Sequence, residues 1–309
     1  MKIILLFVLL FNCMLYAGGD KDSWKIFPDN IKTIAIVAPG MPGKKVQVDI
    51  ALAKLRAAGY KVKVMPNARL YEYPSEIKKV PAEKRFNDLM QAWFDPEVDA
   101  IWCVRGGNYS RELVKLADYD KMRKRPMILI GFSDITCLQQ ALQKNNVGRV
   151  FSGPSLTSML RTDQPSRDWF KRCLGNIEIS PVKLKTLRGG SCSGKAVAGH
   201  LFLINAAVNG KYAVSTADKI VFLESSIGRG NEKILKQLVN SGYFKNCKAV
   251  VFGEFINMSQ KAQLKMFQEF TKLVSCPVYY GYPYGHGTAN YLIDVDRVKH
   301  IGEDAVLRQ

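Results

Sequence analysis

The stretch MILIGFSDITCLQQALQK, residues 127–144, puts a serine where acyl-transfer chemistry needs one: an apolar run enters Gly131, Phe132, Ser133 and Asp134, and an amphipathic helical pattern follows. A serine on a sharp strand-to-helix turn has its hydroxyl lifted clear of the sheet, and the first helical N–H groups lie where an oxyanion would develop. The spelling departs from GxSxG, because Ile135 holds the last Gly position. The competing reading is that Ser133 or Asp134 merely caps the helix. A serine nucleophile needs a general base, ordinarily a histidine, whose unperturbed pKa lies near neutrality. His286 lies in the turn Gly285-His286-Gly287 after the strand-like VYYGYPYG. His200 is expected at a strand start in the second half of the chain, and His300 in a charged segment near the C-terminus, so His286 is the best base. The third member of such a relay is a carboxylate that fixes the imidazole tautomer. Glu224 ends the apolar run KIVFLE, ahead of Ser225 and Ser226. Nucleophile, carboxylate and histidine thus each terminate a predicted strand.

The elements around them alternate. IKTIAIVAP (31–39) reads as a strand, VQVDIALAKLRAAG (46–59) as a helix, KVKVM as a strand and 76–94 as a helix. VDAIWCVRGG (98–107) then reads as strand and glycine turn, SRELVKLA as helix and MILIG as strand. Such alternation predicts βα units, an α/β fold and a mostly parallel sheet. Ligands of such sheets sit beyond the carboxyl ends of the strands, so the Arg105, Gly106, Gly107 turn and the Ser133 turn should open on one crevice. After about residue 150 the texture changes: SGPS and TDQPSRD read as a connecting region, and 177–204 as short strands joined by turns. Alternation returns with KIVFLE (219–224), the helix 232–242, the strand KAVVFGEF, the helix QLKMFQEFTKLV and the strand VYYGYPYGHG.

Composition is that of a globular protein with a real core, 47% hydrophobic and 10% aromatic over 309 residues. Residues 1–18 have the layout of a signal peptide, with Lys2 ahead of an apolar run too short for a comfortable membrane span. This predicts an exported, periplasmic protein with no stable membrane insertion after cleavage; lipidation at Cys13 is the lesser alternative, since Phe11 and Asn12 are bulky for such a site. Cleavage would remove one lysine from a chain of net charge +18, leaving a strong basic bias suited to an anionic wall. The basic residues are dispersed rather than gathered with stacking aromatics, so no nucleic-acid partner is expected. Cys103, Cys137, Cys173, Cys192, Cys247 and Cys276 would permit disulfides in an oxidising compartment, with the pairing open. No CxxC pair or His/Cys cluster suggests zinc. Cys137, one turn beyond Ser133, reads as a small buried residue rather than a rival nucleophile.

RGGNYSREL, LIGFSDIT, GHLFLINAA, IVFLES and YGYPYGHG, in that order, resemble the LD-carboxypeptidase family of serine peptidases, which includes the microcin C self-immunity peptidases. The resemblance spans nearly the whole chain after the signal segment. It implies a Rossmann-like N-terminal domain (19–155), a smaller C-terminal α/β domain (156–309) carrying Glu224 and His286, and a Ser–Glu–His triad between them without metal or cofactor. By motif, the triad is Ser133, Glu224 and His286, and the oxyanion donors are the N–H groups of Asp134 and of Gly106 or Gly107. Within the family Ile135 is no defect, since the turn is typically GxSD. Two departures fall on the substrate side. Where the family usually has GGN, the chain has Leu203, Ile204 and Asn205, keeping only Asn205 as a substrate contact, and Ser225 to Lys233 read SSIGRGNEK.

The expected function is hydrolysis of the LD-peptide bond to the terminal D-alanine of a peptidoglycan tetrapeptide. Two rivals stand beside it: a peptidase of the same family for another short peptide or a peptide-nucleotide antibiotic, and a catalytically inactive wall-binding relative, which a fluorophosphonate would fail to label. Oligomeric state, a homodimer among the options, is left open.

Overall fold

The computed structural model of the protein describes residues 21–69 and 80–309. The expected signal segment with Cys13, and the start of the helix expected over 76–94, lie outside the described residues.

Two sheets organise the chain. The first is built from β1 (Thr33–Val37), β2 (Lys61–Val64), β3 (Ala100–Cys103), β4 (Ile128–Gly131) and β5 (Arg149–Ser152). The second takes β6 (Val182–Lys183), β7 (Lys185–Arg188), β8 (Cys192–His200), β9 (Lys219–Ser225), β10 (Ala249–Phe255) and β11 (Val278–Tyr280). Then β12 (Ile293–Asp294) crosses back to the first sheet, and β13 (Lys299–Ile301) and β14 (Val306–Arg308) complete the second. The orders are β12-β5-β4-β3-β1-β2 and β6-β14-β13-β8-β9-β10-β11-β7. Strands β1 to β5 of the first sheet, and β8 to β11 of the second, are parallel. Parallel strands carry helices on both faces, which is why β1, apolar after Thr33, and AIWC of β3 are wholly buried.

One apolar core joins the halves: Ile34, Ile36 and Phe151 of the first sheet cluster with Ala196, Ile220, Phe222 and Tyr279 of the second. The antiparallel pairing of Ile293 with Ser152 ties the C-terminal segment to the edge of the first sheet. The salt bridge of Arg149 with the buried Asp294, at 2.5 Å, fastens the same seam.

The strand expected through VYYGYPYGHG stops at Tyr280 and leaves His286 in the loop beyond it, and SRELVKLA forms a 3₁₀ turn, Ser110–Lys115, in place of an α-helix. Other expectations fail as well. The connecting region expected after about residue 150 hides β5, whose four residues offer only Val150 and Phe151 as an apolar signal. His200 ends a strand instead of starting one, because CSGKAVAGH forms a single nine-residue strand. The apolar LFLINAAVN, expected among short strands, is the helix Leu201–Asn209. A helix buried against β8 and β9 is apolar over most of its surface and mimics a strand in a short window.

Candidate active site

The turn after β4 holds a strained residue. Phe132 is extended, and Ser133 has φ of +61°, a left-handed conformation that costs a non-glycine residue about 1 kcal/mol or more. The chain then enters a single 3₁₀ turn, Ser133–Ile135, and the helix Thr136–Lys144. Neither Ser133 nor Asp134 caps that helix with its side chain. The buried Asp134 carboxylate instead accepts the Ser110 backbone N–H at 2.9 Å, and the Ser110 hydroxyl donates to the Asp134 carbonyl. Burial pushes the Asp134 carboxyl up, and the Ser110 hydrogen bonds and the Arg85 charge pull it partly back. Gly106 lies against the turn so closely that a Cβ there would come within 2.7 Å of Ser133 Cβ and 3.1 Å of the Asp134 nitrogen. The Gly106 backbone and the Asp134 nitrogen thus both lie close to Ser133. Gly107, at φ of +111°, packs against Met41.

Opposite Ser133 stands His286. Its Nε2 lies 3.1 Å from Ser133 Oγ and its Nδ1 lies 2.7 Å from Glu224 Oε2. Because the carboxylate can only accept, Nδ1 carries the proton and Nε2 is left to accept from the serine hydroxyl. Glu224 is fully buried near the end of β9, and its Oε1 has no hydrogen-bond partner among the described residues. The imidazole rests on the Phe132 ring at 4.6 Å. Residues 62 and 153 positions apart in the chain thus form one hydrogen-bonded relay that can pass a proton from an alcohol to an imidazole and stabilise the cation formed. Among the described residues no group of three or more His, Cys, Asp or Glu side chains is arranged to hold a metal ion.

Residues 34–153 match the family described as the LD-carboxypeptidase N-terminal domain, and residues 193–298 the LD-carboxypeptidase C-terminal domain. The chain belongs to the LD-carboxypeptidase family. It is a peptidase of that family, with a two-sheet α/β fold. A probable murein peptide carboxypeptidase of Bacillus subtilis (strain 168) is 26% identical over 237 residues, covering 73% of this chain and 72% of its own. The murein tetrapeptide carboxypeptidase of Pseudomonas aeruginosa is 28% identical over 229 residues, covering 67% and 74%. In fold, the crystal structure of a muramoyltetrapeptide carboxypeptidase from Oxalobacter formigenes superposes with a TM-score of 0.76 at 24% identity, over 89% of this chain and 97% of that one. An MccF-like protein from Bacillus anthracis gives 0.77 at 22% identity, over 90% and 95%.

Several groups around the LD-carboxypeptidase relay escaped the sequence reading. Glu254 accepts the Gly287 N–H at 2.6 Å, and a Cβ on Gly285 or Gly287 would strike it, so the glycines flanking His286 are there to fold around a carboxylate. A register shift in β10 between Phe252 and Phe255 aims Glu254 at this turn. Burial raises the Glu254 carboxyl, offset in part by the Gly287 N–H, with the Glu224 charge raising it further. Its signal was a carboxylate at the end of an apolar strand, the same one that singled out Glu224. His200 pairs in register with Glu224 across β8 and β9, and its Nε2 accepts the Ser226 N–H at 3.1 Å. Burial holds His200 below its ordinary pKa, which keeps it neutral. Arg85, whose side chain is wholly buried, donates to the carbonyls of Pro39 and Tyr109 and pairs with Glu112, anchoring the segments that flank Gly40 and Ser110. Asn205 hydrogen-bonds Gln237 on the neighbouring helix Asn231–Asn240, at 3.3 Å, and is not a member of the relay. Cys137 receives the Tyr212 hydroxyl at 3.4 Å, and burial pushes its thiol up to about 12, which leaves it inert.

Proposed function

We propose that the protein is a serine carboxypeptidase that cleaves the LD-peptide bond to the terminal D-alanine of peptidoglycan tetrapeptides. The observation that carries this reading is the hydrogen-bonded chain from Ser133 through His286 to the buried Glu224, set on a strained strand-to-helix turn. The names of the Bacillus and Pseudomonas relatives support the murein substrate.

In the proposed mechanism His286 Nε2 takes the Ser133 proton as Oγ attacks the scissile carbonyl. The oxyanion accepts from the Asp134 N–H and from the Gly106 or Gly107 N–H. The imidazolium, stabilised by the buried Glu224, gives its proton to the departing D-alanine amine. His286 then activates water, which releases the tripeptide from Ser133. Export directed by residues 1–18 would place the enzyme beside this substrate, and the basic surface would favour an anionic wall.

The test is incubation of purified protein with muropeptide tetrapeptides, following D-alanine by mass spectrometry, with Ser133→Ala alongside. Release by the wild type alone is the expected result. Fluorophosphonate labelling of Ser133 without D-alanine release would overturn the substrate and keep the serine peptidase; neither labelling nor release would overturn both.

A further inference from the structure

The six cysteines of the described residues are free thiols, and two of them touch. Cys247 Sγ lies 3.4 Å from Cys276 Sγ and donates to it, and also lies 3.3 Å from the Phe244 carbonyl. Both precede neighbouring parallel strands, β10 and β11, whose register is fixed by Val250 opposite Val278 and by the Val250 N–H donating to the Pro277 carbonyl. The sulfurs are therefore held together by a sheet, not by mobile loops. Closing the gap to a bonded separation of about 2.0 Å asks for a side-chain adjustment, not a rearrangement of the backbone.

We propose that Cys247 and Cys276 are a dithiol–disulfide site, oxidised by a small-molecule disulfide of the glutathione class, that staples the amino ends of β10 and β11. Access is limited but present: the residues are 8% and 9% exposed, and a cavity of about 450 Å³ lined by Phe244, Lys245, Lys272 and Ser275 reaches the residues beside the pair. Its two lysines suit an anionic oxidant. Cys276 is the attacking sulfur. The Cys247 S–H it accepts lowers its pKa, with the Arg188 charge helping, whereas Cys247, as the donor, is held far above the ordinary thiol range.

The Cys276 thiolate attacks one sulfur of glutathione disulfide, forming a mixed disulfide and expelling one glutathione thiolate. Cys247 passes its proton to that thiolate and attacks Cys276 Sγ, expelling the second. Two protein thiols are oxidised to one disulfide, and one glutathione disulfide is reduced to two glutathione thiols. The other cysteines serve as internal controls. Cys103, Cys137 and Cys173 are buried elsewhere, and Cys192, near enough to feel the Cys276 charge, is the alternative partner.

The full-length protein would be incubated with glutathione disulfide, denatured, alkylated with iodoacetamide, digested and mapped by mass spectrometry. A single 247–276 cross-link with the other cysteines alkylated is expected, together with a thermal midpoint raised by roughly 5 °C that returns to its starting value under dithiothreitol. Oxidised Cys247→Ser should show no rise and should hold glutathione on Cys276. Alkylation of every cysteine after oxidation, or a 192–276 link, would overturn the proposal, and the wild-type map decides this even if the variant folds poorly.

Discussion

The two walls of the candidate active site are built on opposite plans. The Ser133 wall is a strained backbone locked from behind: a left-handed serine at the end of a buried strand, a glycine pressed against it, and a buried carboxylate held by Ser110. The His286 wall is a glycine turn held by side chains: Glu224 grips the imidazole, Glu254 grips the turn, and the Phe132 ring supports the imidazole. The first plan spends conformational energy to fix one oxygen. The second fixes a ring through charge-assisted hydrogen bonds and leaves it partly open to solvent, with a side-chain exposure of 17% against 0% for Glu224. A nucleophile must approach its target along one line, so a rigid turn serves it; a base that moves a proton in both directions needs orientation more than immobility.

This contrast can be broken by substitution. Ser133→Ala and Glu224→Gln should each lower kcat/KM for the peptide substrate by about 10⁴, and the double variant should be no worse, because members of a relay act as a unit. An additive double loss, read from the same kinetics, would show that the two walls do not work together. Gly106→Ala should cost about 10²–10³ in kcat, since its methyl group would intrude between the donors and Ser133. A normal rate would move the oxyanion site elsewhere.

On the histidine wall, Glu254→Ala should slow turnover about tenfold, and Glu254→Gln should restore most of it by still accepting the Gly287 N–H. A loss as large as that of Glu224→Gln would erase the distinction between gripping the ring and gripping the turn. Ser133→Gly should raise unfolding stability by about 1 kcal/mol in denaturant titrations, because glycine adopts φ of +61° without the Cβ penalty. Stability that falls instead would mean that the turn holds no strain.

The smallest effect concerns pH. His200 is held below its ordinary pKa by burial. Below pH 6.5 the unfolded chain binds a proton that the folded chain refuses, so stability falls as pH drops; above it both states are neutral and the contribution vanishes. Unfolding free energies of the wild type should therefore decline more steeply than those of His200→Gln from about pH 6.5 to 5, by at most about 1.4 kcal/mol per pH unit. Parallel curves would sink this assignment.

Local patterning carried far in this chain. The strands read between residues 31 and 131 match β1 to β4 because continuous apolar runs such as IAIV and ILI record burial on both faces. Patterning failed where the local signal was weak or two-sided: β5 has only two apolar residues, between Arg149 and Ser152, and the helix Leu201–Asn209 is too apolar to show a helical stripe. Glu254 had the same local signature as Glu224 and went unremarked; the one hint in KAVVFGEF is Gly253, a glycine inside a strand, where the register shifts and the Tyr284 carbonyl comes close.

What the sequence determined by itself is a set of loops and strand ends and the residue types on them: a serine in a GFSD turn after β4, a glutamate near the end of β9, and a histidine between two glycines in the loop after β11. Those properties are local, fixed by burial periodicity and by the backbone freedom of glycine. What only the tertiary structure decided is which of those ends meet. The order of strands within each sheet, and the return of β12 to β5, bring Ser133, Glu224 and His286 into one hydrogen-bonded line. The same packing sets Glu254 behind the histidine turn and Cys247 against Cys276. These are contacts between residues about 30 to 150 positions apart, and short-range patterns hold no record of them, because they follow from how the apolar faces of whole elements stack into a shared core.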